Sequence, residues 1–142
     1  MTTITTNAYT KVIKDWTTKA GLRAVILLVR GSHHCGYVEL PERLGEPDYD
    51  ESPIMELNVH GGVTYAGHLD EMDGKYVVGY DCAHYGDLMK CPAELKGTAM
   101  ESSWMYNEGI WRDEEFCTNE CESLAKQISE IKLGISDANN YS

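Results

Sequence analysis

Positive charge is scarce in this chain: 12 Lys and Arg stand against 23 Asp and Glu over 142 residues, a formal net charge of -11. Proteins hold polymeric nucleic acid largely by releasing counterions to clustered Lys and Arg, so this shortage excludes a nucleic-acid polymer as the main partner. A small anion is not excluded, because one local nest of amides or a single basic side chain can hold it. Long apolar runs are also missing. The longest, Ala24 to Val29 between Arg23 and Arg30, is six residues, far short of the ~20 that a membrane helix needs, and no membrane partner is expected. Met1 to Asn7 is Thr-rich and lacks the basic, apolar and small-residue order of a signal peptide, so the chain reads as cytoplasmic. The five cysteines, at 35, 82, 91, 117 and 121, are an odd number, which argues against a disulfide framework in a reducing compartment. There is no internal repeat and no low-complexity tract. The length suits one domain over 1–142, with 1–7 and 135–142 frayed.

What is present suggests an α+β domain: a mainly antiparallel sheet of about five strands, with an N-terminal and a C-terminal helix packed on one face. Tyr9, Val12, Ile13, Trp16 and Ala20 fall at helical spacing before Gly21 and predict a helix over 8–20. The apolar, β-branched run 22–30 predicts a buried strand, and Cys35 to Leu40 pairs with it as a hairpin across Gly31-Ser32. Pro41 to Pro53 holds three prolines and five acids and reads as a surface loop or rim. Met55 to Val59, Val63 to Ala66 and Tyr76 to Tyr80 are the remaining strand candidates, with Asp73-Gly74 as a hairpin signal. Ala99 to Tyr106 suits a helical turn. Asp113 is a candidate N-cap for a last helix running to Gly134, with Cys117, Cys121, Leu124, Ile128 and Ile131 on one face.

Chemistry-bearing residues gather at the predicted strand ends. His34, His60, His84, Asp81 and Asp87 form one candidate cluster, with Cys35 and Cys82 beside it. Two histidines can divide general-base and general-acid work on a phosphodiester, with His60 and His84 in those roles and Asp81 or Asp87 fixing the imidazoles. The amides of Gly61 and Gly62 could receive a phosphate oxygen, and Arg112 with the adjoining helix N-terminus could hold a phosphate. Tyr37, Tyr65, Tyr80 and Tyr85 could stack on a base, or cap the core with their hydroxyls at its edge. No metal or other cofactor is required. Cys35, His60, Cys82 and His84 are acceptable zinc ligands as an alternative, although Cys82-x-His84 lacks the turn of a C-x-x-C knuckle. Cys117 and Cys121, four apart on a helix, read as core.

Cys35-Gly36-Tyr37-Val38, then Val59-His60-Gly61-Gly62-Val63-Thr64-Tyr65, then Gly79 to Asp87 (GYDCAHYGD), and finally Trp111 to Phe116 with Asn119-Glu120-Cys121 form an ordered set. That set resembles a widespread family of small phage and prophage proteins, over about residues 30–128. The resemblance implies a counter-defence protein of the anti-CBASS kind that cleaves a cyclic di- or oligonucleotide immune signal in the bacterial host cytoplasm. It implies importance for Cys35, His60, Thr64, Tyr65, Asp81, Cys82, His84, Asp87 and Arg112. The chain departs from the pattern at Val77-Val78, where relatives often carry tryptophan, so that strand is given no stacking role, and His33 is given no catalytic one. The partner expected is a small nucleotide, with homo-oligomerisation left open. Two alternatives remain: a sponge that sequesters the nucleotide without cleavage, and an acidic mimic of nucleic acid that occupies a basic host protein.

Overall fold

The computed structural model describes residues 10–104 and 108–132, together with the backbone of Thr3–Ile4. Five antiparallel strands form the sheet: β2 (Lys11–Thr17), β3 (Arg23–Val29), β4 (His33–Glu39), β5 (Tyr65–Leu69) and β6 (Lys75–Asp81). The two-residue β1 (Thr3–Ile4) adds to it in parallel beside β5, giving the order β1-β5-β6-β4-β3-β2. Among the described residues there is one α-helix, α1 (Glu114–Ser129), on one face. The fold is thus α+β as expected; of the two ends expected to fray, 1–7 contains β1 at Thr3–Ile4, and 135–142 lies outside the described residues.

Strand alternation divides the core in two. Ala24, Ile26, Val38, Val78, Tyr80 and Cys82 point toward α1, and Val25, Leu27, Cys35, Tyr37 and Val77 point to the other face with Leu69 and Met72. Both rows are needed because β3 is buried on both sides, which is why its sequence is a continuous apolar run rather than an alternating one. The helix meets the first row through Cys117, Cys121, Leu124, Ala125 and Ile128, all fully buried. Two glycines make β4 and β6 pack. Gly36 pairs with Tyr80 and Gly79 with Tyr37. A Cβ on Gly36 would come within 2.6 Å of Tyr80 Cζ, and one on Gly79 within 2.7 Å of Tyr37 Cε1. Each tyrosine ring therefore lies across the bare backbone of its partner, one on either face.

The helix begins as the sequence indicates. Asp113 has extended backbone and its carboxylate accepts from the Phe116 amide at 2.8 Å, satisfying one of the free amides of the first turn. It ends at Ser129, short of Gly134, where Arg43 donates from the acidic loop to the carbonyls of Ile131 (2.7 Å) and Ser129 (3.3 Å).

Two elements differ from expectation. The N-terminal helix over 8–20 is instead strand β2; residues 8 and 9 lie outside the described residues. A bulge between Val12 and Lys14 explains the misleading spacing. One extra residue shifts the two-residue alternation, so Ile13 and Trp16, three apart, both pack on the α1-side core. The second difference is Met55 to Val59, which forms no strand. Ile54–Glu56 is a 3-10 turn, and the extended residues after it run beside α1. Gln127 accepts from the Asn58 amide at 2.8 Å and donates to its carbonyl at 2.7 Å, so helix side chains take the backbone groups that a strand partner would have used. The segment 99–104 is also a 3-10 turn; Met105 and Tyr106 lie outside the described residues.

Candidate functional site

Three segments converge at the end of the sheet where β6 finishes: the turn after Val59, the loop Cys82 to Leu88, and Trp111-Arg112 ahead of α1. Asp87 is the hub. Its side chain is 1% exposed. Both carboxylate oxygens lie 2.9 Å from His60 Nε2, Oδ1 accepts from Arg112 Nε at 2.8 Å, and Oδ2 accepts from the His84 amide at 3.0 Å. Burial alone would push this carboxyl up. The hydrogen bonds from Arg112, His60 and the His84 amide outweigh burial and hold it below the usual carboxylate range.

His60 is fixed on three sides. Its amide donates to Glu120 Oε1 at 2.7 Å, its Nε2 meets Asp87, and its ring stands edge-on to Phe116 with centroids 5.1 Å apart. Phe116 and Glu120 are four apart on α1, so one helix face holds both the ring and the backbone of this histidine. Arg112 also lies over the Phe116 ring, its guanidinium carbon 5.0 Å from the centroid. Its carbonyl accepts from His34 Nδ1 at 2.8 Å, and His34, buried on β4, packs against Trp111 at 5.2 Å. His34 thus positions the arginine through its backbone.

His84 stands beside His60, ring centroids 5.9 Å apart and nearly perpendicular. Its Nε2 is 3.1 Å from Asp81 Oδ1 but off the hydrogen-bonding direction, so this buried nitrogen has no aligned partner. Asp81 is itself oriented, accepting from the Ala83 amide and from Thr64 Oγ1, each at 3.1 Å. Thr64 therefore belongs to the second His–Asp pair. Gly61, at φ 71°, lets the turn press on His84: a Cβ there would overlap the imidazole, 2.9 Å from Cε1.

His60, His84, Asp81, Asp87, Thr64 and Arg112 are thus brought together. Gly61 and Gly62 flank the site, but the Gly62 amide donates to Val59 O at 2.8 Å and is spent on the turn. Tyr37 and Tyr65 pack edge-on against one another, 5.7 Å apart, in the core cluster away from α1. Tyr37 is 4% exposed and Tyr65 donates its hydroxyl to His68 O at 2.6 Å, so neither ring opens onto the histidine pair. The four alternative zinc ligands are not gathered either. Cys82 lies in the α1-side core, its Sγ 3.7 Å from Cys117 Sγ, whereas Cys35 is on the opposite face, where burial pushes its thiol up to about 12. Among the described residues, no group of three or more His, Cys, Asp or Glu is placed to hold a metal ion. Likewise, no described helix is long and apolar enough to cross a membrane.

Sequence reasoning gave Phe116 and Glu120 no part in the site and read Trp111 as packing of the irregular region onto the sheet. The signal for the first two was their i, i+4 spacing on the helix that follows Arg112. An open cavity of about 560 Å3 adjoins the site, lined by His84, Asp87 and neighbouring loop residues. The acidic loop lies elsewhere: Glu46 is 3.3 Å from His68 Nε2 and Tyr76 donates to Pro47 O, so it closes over the β5–β6 hairpin. Comparison with family models, with curated proteins and with solved structures gives no match.

Proposed function

We propose that this protein is a metal-independent phosphodiesterase that cleaves a small cyclic di- or oligonucleotide signal. The observation that carries the reading is the pair of imidazoles, His60 and His84, 5.9 Å apart, each within about 3 Å of its own carboxylate. A ring nitrogen reaches its reacting proton over about 2.6–3.2 Å, so one phosphate group fits within reach of both. Asp87 faces His60 Nε2 and favours a proton there, which leaves Nδ1 as the basic nitrogen. His60 then takes the proton of a ribose 2′-hydroxyl, that oxygen bonds to phosphorus, the bond from phosphorus to the leaving 5′-oxygen breaks, and protonated His84 returns a proton to the leaving oxygen. Arg112 places positive charge at the same spot, already oriented by Asp87 and His34. The products are a 2′,3′-cyclic phosphate end and a free 5′-hydroxyl, with no water consumed.

The motif resemblance supports a setting for this chemistry: counter-defence by a phage protein in the cytoplasm of a bacterial host. The test is incubation of the purified chain with a panel of cyclic dinucleotides in excess chelator, followed by chromatography. Linear product from the wild type, abolished in His60→Ala and in His84→Ala, is expected. Ligand that binds but is recovered intact after denaturation would replace cleavage by sequestration, and no binding at all would sink both.

A further inference from the structure

The cavity beside the histidine pair has a wall that the chemistry above leaves unused. Its volume, about 560 Å3, falls within the ~300–1,000 Å3 typical of small-molecule sites. It runs from His84 and Asp87 past Tyr85 and Met89 to Glu108. Tyr85 adjoins His84 in sequence, yet its side chain is wholly in solvent, at 107% relative exposure. Every other tyrosine of the motifs that carry the site is packed or hydrogen-bonded: Tyr37 and Tyr80 are buried, and Tyr65 donates to His68 O. A ring exposed to water at the rim of a cavity, one residue from the reacting group, is a surface for stacking a flat ligand.

Glu108, also exposed, is tied to the same loop. Ile110 N donates to Gly86 O and Leu88 N to Ile110 O, each at 2.8 Å, forming a parallel bridge between Asp87 and Ile110. Gly109, at φ 132°, lies so close on this loop that a Cβ would meet Gly86 O at 2.6 Å. Glu108 thus stands two residues from a fixed backbone bridge and lines the cavity that Tyr85 and His84 share, its side chain exposed.

We propose that this cavity is a guanine subsite, in which Tyr85 stacks on the base and Glu108 accepts hydrogen bonds from its N1–H and its exocyclic amine. The proposal rests on the phosphodiesterase reading of the adjoining histidines and names the base that reading leaves open. A carboxylate offers acceptors only. Of the four common bases, guanine alone presents two adjacent N–H donors on its Watson–Crick edge. Adenine and cytosine set an acceptor nitrogen beside their amine, and uracil flanks its one N–H with carbonyls, so each would turn a lone pair toward Glu108. A base also carries no negative charge, which lets a chain of net charge -11 hold the ligand by this end while Arg112 meets the phosphate.

The experiment is calorimetric titration of the full chain with guanosine and adenosine 5′-monophosphates, alongside cleavage of cyclic di-GMP and cyclic di-AMP. Guanosine monophosphate is expected to bind at least about tenfold more tightly, Glu108→Gln to erase that preference, and Tyr85→Ala to weaken both nucleotides by about tenfold, as loss of one stacking partner does. Both residues are exposed, and an unchanged circular dichroism spectrum checks the fold of each variant. Equal affinity for the two nucleotides, or a preference that survives Glu108→Gln, overturns the subsite. Cleavage without base preference overturns it while leaving the phosphodiesterase reading intact. Guanine preference with every dinucleotide left uncut supports the subsite and removes the phosphodiesterase.

Discussion

Replacing Asp87 by Asn keeps the shape of the hub and removes its charge. Two charge-assisted hydrogen bonds are lost or weakened, from Arg112 Nε at 2.8 Å and from His60 Nε2 at 2.9 Å, and the new amide NH2 group is set against a donor. Such bonds are worth about 1.5–3 kcal/mol each. The partners are 22% and 19% exposed and regain some water, which puts the expected loss near the lower end, about 3 kcal/mol in total. For a chain of this length that corresponds to a fall in Tm of about 10 °C. The pH dependence follows from the depressed Asp87 pKa. As pH falls below the ordinary value of 3.8, the unfolded chain takes up its proton first. The stabilisation is therefore complete above about pH 4 and disappears as pH falls through the folded value. Urea unfolding and thermal melts of both proteins from pH 7 to pH 3 measure this directly. The gap between the two stability curves should narrow as pH falls from 4 to 3. A difference below about 1 kcal/mol at pH 7, or a gap that stays constant on acidification, would show that the ionised hub does not hold the three segments together.

Gly61→Ala forces a side chain onto a φ of 71° and against the His84 ring; the proposed cleavage is expected to slow by about a hundredfold, with only about 1–2 kcal/mol lost from stability. Unchanged turnover would dissociate this turn from the second histidine. Gly79→Ala adds a Cβ 2.7 Å from Tyr37 Cε1, an overpacking that should cost about 1–3 kcal/mol in denaturant unfolding; a neutral result would mean the sheet bends freely there. Burial holds the His33 pKa below 6.5 and its Nδ1 has no hydrogen-bond partner. Its contribution is present above that pH and is lost as pH falls from there toward the folded value. His33→Gln should flatten the pH dependence of stability below about pH 6.5, and an unchanged slope in calorimetry would refute the assignment.

How far the sequence was legible depended on whether a signal was local. The N-cap at Asp113, the helix face through Cys117, Cys121, Leu124 and Ile128, and the buried run of β3 are each written within a few residues, and each stands in the structure. The helix expected over 8–20 failed because a bulge in β2 copies helical spacing, and whether a bulge is present is settled by the partner strand β3 rather than by residues 11–17. Met55 to Val59 carries strand-like residues but meets Gln127 instead of a strand, a contact between positions 69 apart for Asn58. At the site, His60, His84, Asp81, Asp87 and Arg112 were recognisable by residue type. Their division into one pair on Asp87 and another on Asp81 was not, since either carboxylate could have served either ring.

The sequence by itself determined the chemical inventory: two histidines and two aspartates in short polar segments, an arginine before a capped helix, and a net charge of -11 that suits a small ligand better than a polymer. Those properties belong to residue types and short-range order. Tertiary structure alone decided that Phe116 and Glu120 clamp His60, that His34 holds Arg112 from behind, and that Cys35 and Cys82 part to opposite faces of the sheet. Each of these depends on the register of β4 against β6 and on where α1 settles across them. A shift of one residue in that pairing would send every side chain of the strand to the other face.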